Sequence, residues 1–210
     1  MALKARFILI SISLLCAMFA LCIPTTKAAE IRIAGFSFSD ELGGFRLLGV
    51  SGNGTRSNPF VIEEEILEVG PATLLIRRIF SQEDHKGWHP NARRLRIYIT
   101  KSVANKTGKV WSGFHLELRQ ILNLPSTLED GLSFDQIGQL SDDVSSNRFT
   151  KKQRIFEPSD RIKFYMGHVD PKESFSLSVP ITDTTPNTAF YLIQHPEFLL
   201  AWHANAFDFE

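Results

Sequence analysis

Along most of the chain after Ala28, apolar and polar residues alternate with a period of two. Strands that bury one face and wet the other give this pattern. Leu95, Ile97 and Ile99 fall on one side of their segment, and Arg94, Arg96, Tyr98 and Thr100 on the other. Phe114, Leu116 and Leu118 alternate with His115, Glu117 and Arg119; Ile162, Phe164 and Met166 alternate with Arg161, Lys163 and Tyr165. Phe175, Leu177, Val179 and Ile181 alternate with Ser174, Ser176, Ser178 and Pro180. Each segment predicts a half-buried antiparallel strand. Less regular strand-like runs cover 31–38, 45–50, 60–67 and 73–80. Between them lie Asp40 to Gly44, Gly52-Asn53-Gly54 and Gly70-Pro71, residue types that suit turns because Gly and Asn accept positive φ and Pro fixes it.

No segment between Glu30 and His195 keeps a helical apolar stripe for three turns. The pattern therefore predicts an all-β fold, an antiparallel sandwich of Ig-like or jelly-roll-like type with about nine to eleven strands. The stretch 125–159, rich in Ser and Asp, reads as a long irregular excursion with one strand or two. The tail from Pro196 to Ala206 suits either a short C-terminal helix or a last strand. Residues 29–210 are expected to form one domain, with a sub-boundary near 81–92 as the alternative.

The first 28 residues change the picture from fold to location. Lys4 and Arg6 precede an apolar run from Phe7 to Ile23, and Pro24-Thr25-Thr26-Lys27-Ala28 ends in small residues suited to cleavage after Ala28. This is the layout of a signal peptide, which would place the mature protein in the periplasm or outside the cell; the alternative is a retained membrane anchor, since the run lies near the lower limit of a membrane span. Cys16 and Cys22 both lie in that run. The exported part would then hold neither cysteine, so its core must suffice without disulfides. Cleavage also removes Lys4, Arg6 and Lys27 and no acidic residue, so a chain of formal net charge zero becomes slightly acidic. That balance gives no electrostatic reason to bind nucleic acid, and no stable membrane span is expected after cleavage. Charged outward positions such as Arg94, Glu117 and Lys163 also argue against an outer-membrane barrel, whose outward face is apolar.

Two further stretches carry a resemblance. Residues 105–118 read Asn-Lys-Thr-Gly-Lys-Val-Trp-Ser-Gly-Phe-His-Leu-Glu-Leu, followed by Asp130-Gly131-Leu132-Ser133-Phe134. Residues 167–175 read Gly-His-Val-Asp-Pro-Lys-Glu-Ser-Phe. Over roughly 93–194 the chain resembles uncharacterised exported bacterial β-sandwich proteins, including domains of PEP-CTERM-type secreted proteins. In these an Asn-X-Thr-Gly turn leads into a strand with Trp and Phe, and Gly-X-Val-X-Pro-Gly-Glu-Ser approaches a late strand. Lys172 stands where that pattern has Gly, and 201–210 offers no second apolar span or basic end. The resemblance implies a fold and a location, but no reaction.

Candidate chemistry is sparse. Without cysteine, Zn or Cu would be held by His and carboxylates, and His85, His89, His115 and Glu117 are the candidate metal set. His85 and His89 sit in a polar loop, while His115 and Glu117 share one face of their strand. For sugar binding, flat rings are the usual platform, and Trp88, Tyr98, Trp111 and Tyr165 are the candidate ligand-binding residues, against the plainer reading that large aromatics pack. Glu63, Glu64 and Glu65 are adjacent, so a strand would put at most Glu63 and Glu65 together, on a solvated edge or face. No Gly-X-Ser-X-Gly elbow, phosphate loop or dinucleotide fingerprint is present, so no catalytic residue and no cofactor is expected. The expected function is a non-catalytic binding or structural module of the cell envelope, whose partner is another envelope protein or a polysaccharide. The alternative is a metal- or carboxylate-dependent hydrolase of envelope polymers.

Overall fold

The computed structural model describes residues 28–79, 95–134, 142–155, 159–185 and 187–198. These residues form thirteen strands and one turn of 3-10 helix, Leu128–Asp130. The strands are β1 (Glu30–Ile33), β2 (Phe36–Ser39), β3 (Phe45–Ser51), β4 (Phe60–Ile66), β5 (Ala72–Arg78), β6 (Leu95–Asn105) and β7 (Trp111–Arg119). They continue with β8 (Leu132–Ser133), β9 (Ser145–Ser146), β10 (Lys151–Ile155), β11 (Arg161–Val169), β12 (Ser174–Asp183) and β13 (Ala189–Phe198).

One sheet runs β1-β2-β5-β13-β7-β11-β10 and the other β3-β4-β6-β12-β8, with β9 also pairing β12. The fold is thus the expected all-β sandwich, with one departure: β4 and β6 pair in parallel, because β5 crosses to the opposite sheet between them. The strand count exceeds expectation for local reasons. Ala34 and Gly35, with φ of 48° and 79°, break 31–38 into the hairpin β1–β2, as two-residue turns with positive φ do. The stretch 125–159 contributes three short strands, β8, β9 and β10. Pro196 to Phe198 belong to β13, so no helix starts at Pro196. Residues 199–210, the signal-like segment 1–27 and the sub-boundary near 81–92 lie outside the described residues. Strands from both sides of that sub-boundary share both sheets, β5 with β13 and β4 with β6. Among the described residues no helix is long and apolar enough to cross a membrane.

The inward faces fill one core that includes Phe38, Phe60, Ile62, Leu74, Phe114, Phe164, Phe175 and Leu192. Phe114 and Phe175 meet edge to face at 5.1 Å, and so do Phe38 and Phe60. Each such ring removed from water contributes about 1.5–3 kcal/mol.

At one end of β6 the Asn-Lys-Thr-Gly turn gets its shape from Asn105. Its Oδ1 accepts Thr107 N–H at 3.0 Å and Thr107 Oγ1–H at 2.8 Å, while its amide donates to Lys109 O at 2.8 Å and Val169 O at 3.1 Å. Gly108 then takes φ 73°. The register slips beyond this turn: Tyr165 faces Gly113, but Val169 faces Trp111. Met166 sits in that irregularity with φ 59° and is 63% exposed. Simple alternation had put it inward; the bulge turns it out.

Candidate functional site

The outer face of the first sheet gathers charge on three adjacent strands, β13, β7 and β11. Ladder pairing sets His195 of β13 and Lys163 of β11 on either side of His115 of β7. One step along, Ile193, Glu117 and Arg161 form the next row. Alternate residues share a face, so Gly113, His115, Glu117 and Arg119 all point outward from β7.

The charges are closely paired. Arg119 Nε donates to Glu117 Oε1 at 2.6 Å and Arg161 Nη2 to Glu117 Oε2 at 2.7 Å. Lys163 Nζ donates to Glu197 Oε1 at 2.6 Å. His115 Nε2 lies 2.8 Å from the same oxygen, but out of line for a good hydrogen bond. Gly113 makes this possible, since a Cβ there would come within 2.4 Å of Glu197 Oε2. His195 stands with its ring centroid 6.3 Å from that of His115. The group borders a cavity of about 320 Å³ lined by His115, Glu117, Arg119, Arg161, Ile193 and His195.

Electrostatics follow from this packing. Burial holds the His115 imidazole below its ordinary pKa, against the pull of Glu197, because a half-buried ring loses hydration when charged. For Glu197 burial pushes the other way, yet the hydrogen bond from Lys163 and the close His115 imidazole keep its carboxyl below the usual carboxylate value.

The structure brings His115 and Glu117 onto one face as expected, and supplies partners from other strands that spacing could not. His85, His89 and Trp88 lie outside the described residues. Among the described residues no three His, Asp or Glu side chains assemble as a metal-holding group.

Among the described residues, the candidate aromatics Tyr98, Trp111 and Tyr165 do not form one platform. Tyr98 lies on the outer face of the second sheet, with the Arg96 guanidinium 5.5 Å from its ring centre, and Tyr165 lies half-buried on the outer face of the first. Trp111 is fully buried against Phe114 and Phe175, its Nε1 donating to Thr107 Oγ1 at 3.0 Å. It offers no face to a sugar. The extra residue Ser112, where Glu197 and Phe198 of β13 face Gly113 and Trp111, turns the indole inward.

A second polar group lies in the core, where alternation assigned apolar residues. Lys101 of β6 and Glu64 of β4 are fully buried, with Nζ 2.7 Å from Glu64 Oε2. Gln194 of β13 reaches across from the other sheet, and its Nε2 donates to that same oxygen at 3.2 Å. Among the described residues, Glu64 Oε1 and Gln194 Oε1 are buried without a hydrogen-bond partner. Glu63 is exposed and Glu65 pairs with Arg46 and Lys106, as a solvated face requires, but Glu64 is not solvated. The signal was present: Phe60, Ile62, Glu64, Ile66 and Ile97, Ile99, Lys101, Val103 each hold one charge on an apolar face.

Compared with known proteins, the chain matches no family model, and no curated protein or solved structure shows significant similarity to it.

Proposed function

We propose that the protein is an exported, non-catalytic module of the cell envelope that binds an acidic polysaccharide at the outer-face cavity beside His115 and Arg161. The observation that carries this reading is the pairing of both carboxylates. Glu117 is held by two guanidinium groups, and Glu197 by Lys163 with its pKa lowered. A hydrolase acting through paired carboxylates needs one of them kept protonated by a raised pKa. Here Glu197 is instead lowered. What remains for a ligand is the exposed side of Arg161, the exposed His195 and Ile193 between the strands. Those groups suit carboxylate and hydroxyl recognition beside an apolar patch.

Export is supported by the signal-like residues 1–28 and by the first described turn. Ala29 N–H donates to Asp40 Oδ1 at 2.7 Å. Cleavage after Ala28 would make that nitrogen an ammonium and the contact an ion pair.

Binding is tested on arrays of neutral and uronate-bearing polysaccharides, with reducing-end release measured on the same polymers. Selective retention of the acidic polymers without cleavage is expected. Arg161→Ala should weaken binding by about tenfold or more, since a hydrogen bond between charged groups contributes about 1.5–3 kcal/mol. Release of reducing ends, abolished by His115→Gln, would favour the hydrolase reading instead.

A further inference from the structure

Independently of the outer face, we propose that the core group matures into a covalent cross-link, an amide bond between Lys101 Nζ and Gln194 Cδ that ties the two sheets together. The geometry that carries this is the sharing of one atom: amine and carboxamide both hydrogen-bond Glu64 Oε2, in a core closed to solvent. Held in contact with a common partner, two groups that would never react in dilute water gain the effective concentration of an intramolecular reaction. Burial also favours the neutral, nucleophilic amine over the ammonium, and it keeps out the water that would otherwise compete.

The ion pair as it stands is poorly satisfied. Two buried oxygens, Glu64 Oε1 and Gln194 Oε1, lack donors among the described residues. Charges buried with incomplete hydrogen bonding are costly, so a step that neutralises both and supplies a donor relieves the core.

The step balances as follows. A proton passes from Lys101 Nζ to Glu64, giving a neutral amine and a neutral acid. The Nζ lone pair attacks Gln194 Cδ and forms the new C–N bond. The tetrahedral adduct collapses with cleavage of Cδ–Nε2. The departing nitrogen leaves as ammonia, carrying its own two protons and one from Nζ relayed by Glu64. Glu64 ends as a carboxylic acid that donates to the new amide carbonyl, and one proton remains on the amide nitrogen. No oxidant, reductant, metal or second substrate is required.

The test is peptide mapping of the full chain after complete denaturation. The expected result is a branched proteolytic peptide joining the segments around Lys101 and Gln194, lighter than their sum by one ammonia. In Glu64→Gln, which keeps side-chain size but removes the proton relay, the same segments should appear as separate linear peptides. Recovery of unmodified Lys101 and Gln194 peptides from the unaltered chain overturns the proposal. So does a branch to Glu64 with loss of one water, or a branched peptide that persists at full yield in Glu64→Gln. The readout on the unaltered chain does not depend on any variant folding, and it is unaffected by whether the outer face binds polysaccharide.

Discussion

Asn105 shows how much a single side chain decides. Its carboxamide fixes the turn from β6 to β7 and also holds the carbonyl of Val169 at the end of β11, a residue distant in sequence. Thr107 uses its hydroxyl twice, donating to Asn105 and accepting from Trp111, and so seats the indole. Asn105→Ala strands buried polar groups on both sides and should lower stability by about 2–3 kcal/mol, read as a shift of the urea midpoint with an unchanged slope. His115 sets a pH dependence. Its folded-state pKa lies below the ordinary value of 6.5, so the unfolded chain takes up the proton first as pH falls. Stability is complete above the unfolded pKa and declines as pH drops through 6.5 toward the lower folded value. Glu197, also lowered, adds a further loss below its ordinary 4.5. The groups facing His115 are Glu197, Lys163, Arg161 and His195. Thermal midpoints should fall between pH 7 and pH 5, and His115→Gln should flatten that slope; a slope equally steep in the variant would place its origin elsewhere.

At the scale of elements, the pairing of β7 with β13 brings the site together. Neither strand carries it alone. His115 and Glu117 come from one strand, His195 and Glu197 from the other, and β11 adds Arg161 and Lys163. Gly113 is the element's concession to the site, because its missing side chain leaves room for the Glu197 carboxylate. Gly113→Ala would press a methyl group against that carboxylate and within 3.0 Å of Phe164 O. We expect a loss of about 1–3 kcal/mol from overpacking, seen in thermal melts, together with a steeper fall of stability below pH 7, because Glu197 no longer holds the His115 pKa up against burial. The strand alternation needed to find His115, Glu117, Arg161 and Lys163 on outward faces was legible in the sequence. Which strands stand side by side was not, since register across β13, β7 and β11 depends on contacts between segments far apart in the chain. Local bulges defeated alternation at Met166 and Trp111 for the same reason: an inserted residue reverses every face beyond it.

At the scale of the molecule, the two sheets meet over a largely apolar core in which Glu64, Lys101 and Gln194 converge. In the unlinked core that the structure shows, removing one charge should leave the other buried and unpaired. Lys101→Met is therefore expected to cost about 3–5 kcal/mol, measured by denaturant titration. The double variant Lys101→Met with Glu64→Leu should cost less than the single, because no charge is stranded; a larger loss in the double would show that the pair itself supports the fold. From β4 onward most connections carry the chain from one sheet to the other, so the native contacts join residues distant in sequence, and such topologies fold slowly. A covalent tie between β6 and β13 would join the sheets once that search is complete.

The sequence by itself determined the strands, their buried faces and the turn residues between them, because alternation and turn chemistry are local properties of the chain. It also held, unread, the two charges set in apolar rows. Only the tertiary structure decided that Glu64 meets Lys101 and Gln194 inside the sandwich, and that His115, Lys163 and Glu197 meet outside it. Those meetings depend on which strands become neighbours and on the sheet each joins, and that choice is made by the packing of the whole core.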